Sequence, residues 1–142
     1  MFDWASLRPI WGPRVLSILR IMVGLLYLEH GLGKIFNFPA APNHHPYVLF
    51  SLVPGLAGLL ETIGGALIAV GLFTRPVAFI LSGEMAFAYF MSHAPRSFFP
   101  LVNGGDGAIL YCFIFFYFFV VGAGAWSLDQ LWTTKSSAAG RG

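Results

Sequence analysis

Six side chains carry most of the chemistry open to this sequence: Glu29, His30, Lys34, Glu61, Glu84 and His93. Carboxylates can take up and release protons. Imidazoles do so near neutral pH, and an ammonium can donate to a ligand carbonyl or hold a carboxylate. Arg20, Tyr27, Asn103 and Asp106 add further groups able to hold a polar ligand. Most of these residues stand inside apolar stretches. A charge at the centre of a membrane helix costs roughly 2.5–3.5 kcal/mol on insertion scales. Residues kept there face a bundle interior or a water-filled cavity and pair with one another.

Other chemistries find no support. No Glu-x-x-His spacing occurs, which counts against a ferritin-like di-iron site. There is no Gly-x-Ser-x-Gly, P-loop or dinucleotide fingerprint. The single cysteine, Cys112, excludes a disulfide or Cys-based cluster within one chain, and its apolar, aromatic setting reads as an inert thiol. His44-His45 is an adjacent pair on a loop, a poor geometry for two bonds to one ion. No metal site is expected.

The elements that position these residues follow from composition. The chain has 142 residues, 57% hydrophobic, 17% aromatic and 10% charged, with a mean hydropathy of +0.74. Soluble domains average about 25% charged residues. So few charges cannot cover a soluble domain of this size, and the net charge of +2 is too small to imply nucleic acid or another polyanion. The composition predicts an integral membrane protein in the lipid bilayer.

Four apolar segments read as membrane helices, at about 15–36, 54–73, 76–93 and 107–125. Pro39, Pro42, Pro46 and Pro54 punctuate the first connection, and Thr74-Arg75-Pro76 makes a tight second one. The first segment, interrupted by charges and lacking a clear cleavage site, reads as a retained span. The expected architecture is an all-α, four-helix membrane bundle forming a single domain over 1–142. Arg8, Arg14, Arg75, Lys135 and Arg141 outnumber Lys34 and Arg96 across it, which places both termini in the cytoplasm. Trp4, Trp11, Trp126 and Trp132 flank the outermost spans on that same side, as an interfacial belt does. The tail from Ser136 to Gly142 reads as frayed.

Small residues mark the packing faces. Gly58, Gly65 and Ala69 share a stripe with Glu61, while Gly24 and Gly31 share one with Arg20, Tyr27 and Lys34. The aromatic rings of the fourth segment surround their helix, so most must face lipid or a partner.

With this topology Glu29, His30, Lys34, Glu61, His93 and Asp106 fall in the extracytoplasmic half and Glu84 near the midplane. Arg20 alone lies toward the cytoplasm. Tyr27, His30 and Lys34 share a side of the first helix, and Glu29 points about 160° from Tyr27. Glu84 and His93, nine residues apart, fall on opposite faces of a regular helix. Two partly separate polar sites, or a bend near Pro95, would accommodate them. Two readings stand. Glu61, Glu84, Arg20 and Lys34 form interhelical ion pairs that fix packing, or the group forms a proton-coupled redox or ligand site.

The ordered motifs are Arg20-Ile-Met-Val-Gly24, Glu29-His30-Gly31-Leu-Gly33-Lys34, Leu60-Glu61-Thr-Ile-Gly64-Gly65, Gly71-Leu-Phe-Thr-Arg75, Glu84-Met85-Ala86, Asn103-Gly104-Gly105-Asp106 and Gly122-Ala-Gly124-Ala-Trp126-Ser127-Leu-Asp129. In order and spacing this resembles the DoxX family of small bacterial membrane proteins, over about 14–129. Arg20, Gly31, Lys34, Glu61, Gly65, Glu84, Asn103-Gly104-Gly105 and Asp106 occupy signature positions, with Asp106 where the family usually has Glu.

The resemblance implies a four-helix, multi-pass protein of the bacterial inner membrane, associated with quinone-linked oxidoreductases. A membrane or periplasmic oxidoreductase would be its partner. On this reading Glu61 and Glu84 are the catalytic pair, exchanging protons with a quinone. Arg20, Tyr27, Glu29, His30, Lys34, His93, Asn103 and Asp106 form the cofactor-binding set, with His30 or Lys34 donating to the quinone carbonyls. The aromatic fourth helix suits an isoprenoid tail. The alternatives are a non-catalytic anchor or assembly subunit, and a small-molecule carrier that would work as a homo-oligomer. His30 and His93, both toward the outer side, leave a haem as a further alternative.

Overall fold

Helix α1 (Trp4–Phe36) is one unbroken run of 33 residues, about 50 Å long at ~1.5 Å per residue. It carries the expected first span and begins well before it, passing through Pro9 and Pro13. The computed structural model describes residues 4–40 and 46–139. The His44-His45 pair and Arg141 lie outside the described residues. All regular structure among the described residues is helical: α1 is followed by α2 (Ala57–Val70), α3 (Thr74–Ala88), α4 (Pro100–Asn103), α5 (Asp106–Val121) and α6 (Leu128–Ala139).

Several boundaries differ from the sequence reading, each for a local reason. The second segment is regular only from Ala57, because Val53 has extended backbone angles (φ −134°, ψ 126°) and the turn Leu52–Leu56 is π-helical. It stops at Val70, where Gly71 (φ 70°) closes the helix and both Gly71 and Leu72 donate to the Leu67 carbonyl. The third segment runs on from α3 into a second π-helical turn, Tyr89–His93. The fourth ends at Val121 rather than 125, at Gly122 with φ 91°. Helix α6 runs to Ala139, where a frayed tail was expected from Ser136. Among the described residues, α1 is the one helix long and apolar enough to cross a membrane, and α2 and α5 are shorter apolar helices.

The helices pack as two pairs, α1 on α2 and α3 on α5, joined where α2 meets α3. The α1–α2 contact is a backbone approach. A Cβ on Gly24 would sit 2.5 Å from Ala69 N, and one on Gly65 would sit 2.5 Å from Leu28 N. These are the small-residue stripes read from the sequence, and any larger side chain there pushes the helices apart. The core between the pairs holds Val23, Tyr27, Ile68, Leu81, Phe115 and Phe118. Elsewhere the helices turn apolar side chains outward. Met22, Ile63, Phe79, Phe113 and Val120 are each about half exposed or more. Partly buried Cys112 sits against Ser82, whose hydroxyl donates to the Cys112 carbonyl at 2.9 Å.

One end of the bundle is closed by charged side chains set on helix ends. Arg20 is fully buried. Its Nε donates to Ala123 O at 2.7 Å, one terminal nitrogen donates to Ile68 O and Ala69 O, and the other to Trp126 O at 2.5 Å. Ile68 and Ala69 lie in the last turn of α2, whose carbonyls have no partner inside the helix. Arg75 does the same for α5, donating to Phe119 O at 2.9 Å and Val120 O at 2.7 Å. Asp129 takes the opposite end of a helix. Its carboxylate accepts from Phe73 N at 2.8 Å and Thr74 N at 2.9 Å, at the start of α3. Each charge is opposite in sign to the helix terminus it meets.

Candidate functional site

The far half of α1 opens onto a cavity. Tyr27, His30 and Lys34 recur at helical spacing and line it together, from the side that faces α2, α3 and α5. Glu61 on α2 and Glu84 on α3 complete its polar wall, with Leu60, Met85, Ala88 and Ala108 among the apolar lining. The volume is about 690 Å³, within the usual range of ~300–1,000 Å³ for a small-molecule site.

Two side-chain pairs organise the polar wall. Lys34 Nζ donates to Glu61 Oε1 across the α1–α2 contact. Tyr27 donates its phenolic hydrogen to Glu84 Oε2 at 2.9 Å. The Tyr27 ring is fixed by an edge-on contact with Phe115 (centroids 4.8 Å apart, planes at 79°) and lies 5.2 Å from Tyr111. Each carboxylate is thus held by one oxygen. The other oxygens, Glu61 Oε2 and Glu84 Oε1, are buried and have no hydrogen-bond partner. A buried polar atom left unpaired costs about 1–3 kcal/mol, and here both belong to residues of the same cavity lining.

His93 also lines it, although nine residues of regular helix would turn it away from Glu84. The π-helical turn Tyr89–His93 makes the difference. Ala94 N bonds Tyr89 O at 2.9 Å, five residues back, which underwinds the helix and swings His93 toward the Glu84 side. Of the two alternatives, separate polar sites or a bend near Pro95, the second comes nearer, in the form of an underwound turn just before that proline. His93 Nδ1 is 3.0 Å from Asn103 O, and His30 Nδ1 is 2.8 Å from Leu26 O. A carbonyl only accepts, so both rings carry their hydrogen on Nδ1 when neutral, leaving Nε2 as an acceptor.

Of the ten residues singled out from the sequence, six line one cavity: Tyr27, His30, Lys34, Glu61, Glu84 and His93. Four do not. Arg20 is enclosed by carbonyls at the closed end. Glu29 is exposed and points elsewhere, as its helical phase requires. Asp106 is exposed at the first turn of α5. Asn103 is buried but serves the chain itself, donating to Ser97 O at 2.8 Å and accepting from Gly105 N at 2.7 Å. It touches the site indirectly, through the carbonyl that orients His93. Tyr111 lines the cavity and was not singled out. Its signal was a hydroxyl in an otherwise hydrocarbon helix face. Among the described residues, no cluster of three or more His, Cys, Asp or Glu could hold a metal ion.

Comparison with known proteins gives a consistent picture. The DoxX family profile matches residues 15–94. An uncharacterized protein of Haemophilus influenzae is 41% identical over 128 residues, covering 88% of this chain and 96% of its own length. An uncharacterized membrane protein of Mycobacterium tuberculosis is 26% identical, covering 97% of this chain and 93% of its own. No solved structure matches. The chain belongs to the DoxX family and is a membrane protein.

Proposed function

With membership of the DoxX family as the premise, we propose that this chain is the quinone-binding component of a membrane oxidoreductase. The observation that carries the reading is a pair of buried carboxylates, Glu61 and Glu84, each with one unpartnered oxygen, among the residues that line a largely apolar cavity. An amphiphilic aromatic ligand with polar atoms on its ring fits both properties. A quinone supplies the chemistry that the protein's own side chains lack, taking up or releasing two electrons with two protons.

The roles of the residues follow from their contacts. Lys34 holds Glu61, and Tyr27 holds Glu84, each by one oxygen. The free oxygens take or give the ligand's protons. His30 and His93 stand ready on the same lining to pass those protons on, their rings locked by backbone carbonyls. The apolar lining excludes water around the ring.

The same proposal sets the protein in the bacterial inner membrane as a four-span bundle. The closed end faces the cytoplasm and the cavity faces outward. Exposed Trp11, Trp126 and Trp132 support this, all belonging to the closed end. Arg14 lies 5.5 Å from the centre of the Trp11 ring. Indoles and basic residues together suit the cytoplasmic headgroup layer.

The test is purification in mild detergent followed by solvent extraction. About one quinone per chain is expected, falling at least fivefold in Glu61→Gln and Glu84→Gln. A quinone-free protein that also ignores added short-chain quinone overturns the proposal. A second reading, a non-catalytic anchor, is favoured by the Lys34–Glu61 pair, which by itself ties α1 to α2.

A further inference from the structure

The cavity has two kinds of rim. Helices α2 and α3 leave the Gly71 turn as neighbours and touch at Gly64, where a Cβ would lie 2.7 Å from the Leu81 side chain. Farther from that turn the cavity comes between them. Val53 and Leu56 line it from the α2 side, and Ile80, Phe87 and Met91 from the α3 side. All five are apolar and about half exposed, whereas Tyr27 and Glu61 on the same lining are buried. Side chains that line the cavity and stay exposed form its rim. Elsewhere the rim is polar: exposed His30 of α1 lies beside Tyr111 of α5, their ring centroids 6.0 Å apart.

Gly83 sits in the apolar rim, at helical spacing between Ile80 and Phe87, and is itself exposed. A Cβ there would meet no atom within 4 Å, and the residue lies inside regular α3. Neither packing nor a positive φ asks for a bare backbone at this place. Close passage of a ligand does.

We propose that the cavity is loaded from the bilayer, through the slot between α2 and α3 and across Gly83, and that the slot then holds the hydrocarbon chain of the ligand. The inference rests on the quinone-linked reading and adds to it a route and a chain-binding surface. A chain that moves from lipid into a slot of apolar side chains leaves no hydrogen-bonding group unpaired. The chain is thereby assigned to α2 and α3. The aromatic α5 does not hold it, since Phe113 and Phe116 are exposed and form no part of the cavity lining.

The experiment measures binding to the full chain in lipid nanodiscs. The probes are a benzoquinone with a decyl chain and the same ring with a methyl group instead, each corrected for its partition into the lipid. The parent is expected to bind the decyl compound at least tenfold more tightly. Gly83→Trp, which fills the slot, should cut that preference to threefold or less and leave the methyl compound within threefold of its parent affinity. Leu56→Trp blocks the slot from the α2 side and takes its place should Gly83→Trp fail to fold. Gly33→Trp is the control: its Cβ also meets open space, it does not line the cavity, and it should change neither affinity. A decyl preference that survives the slot variants overturns the inference, and so does equal loss of both probes, which would mark damage to the ring site. A parent that binds both rings equally overturns the slot and leaves the quinone-linked reading standing. A parent that binds neither overturns both.

Discussion

The two ends of the bundle bury charge under opposite rules. At one end Arg20 spends four hydrogen bonds on backbone carbonyls of α2 and of the segment after α5, while Arg75 and Asp129 close two further helix termini. Among the described residues, Thr74 Oγ1 is the one buried polar side-chain atom there that lacks a partner. At the other end Glu61 and Glu84 are each held by one oxygen and left bare at the second. The partners differ in kind. Backbone carbonyls cannot be taken away by a ligand or a proton, whereas a cavity wall can be served by either. The first arrangement fixes a structure, and the second keeps an interaction in reserve.

The contrast breaks most readily at Arg20. Arg20→Ala leaves several buried carbonyls without donors, at about 1–3 kcal/mol each, and a loss of more than about 3 kcal/mol is expected from detergent-based unfolding. A near-normal unfolding transition would show that the closed end is not what holds the bundle. Next comes the glycine contact. Gly65→Val places a branched side chain against Leu28 N and should cost about 1–3 kcal/mol by overpacking, read in the same assay. The cavity acids come third and should behave differently. Glu61→Gln and Glu84→Gln are expected to lower quinone-dependent turnover at least tenfold, equivalent to ~1.4 kcal/mol, while stability stays within about 1 kcal/mol of the parent. If Glu61→Gln instead costs stability on the scale of Arg20→Ala, the two ends follow one rule and the anchor reading replaces the redox one. The smallest effect belongs to Asp129→Asn, which keeps one acceptor for the start of α3 and loses the charge. About 0.5–1 kcal/mol is expected, measurable as a lower unfolding midpoint.

Sequence reading reached some of this and stopped for identifiable reasons. Helical period alone put Tyr27, His30 and Lys34 on one face and turned Glu29 away, and the cavity keeps that division. Small-residue spacing located the α1–α2 contact at Gly24 and Gly65. Arg20 shares that face, yet period gives a direction and not a destination. Its acceptors are main-chain carbonyls, which have no residue identity to read. That Glu84 and His93 line one cavity depends on one underwound turn, and nothing in Tyr-Phe-Met-Ser-His announces the i+5 bond behind it. Asn103 looked like a ligand residue because it is a polar side chain in a glycine-rich motif. Its side chain instead ties the loop between Ser97 and Gly105.

The carbonyl cage of Arg20 also bears on how the protein is made. Two of its acceptors lie 103 and 106 residues further along the chain. Ribosomal synthesis runs from the N-terminus at ~5–20 residues per second, so those acceptors emerge at least about five seconds after Arg20 itself. During that interval α1 and α2 can zip together along their glycines and supply the Ile68 and Ala69 carbonyls, but the guanidinium stays half clad. A nascent or truncated chain lacking the 123–126 segment therefore leaves Arg20 without two of its four carbonyl acceptors, a cation only half covered.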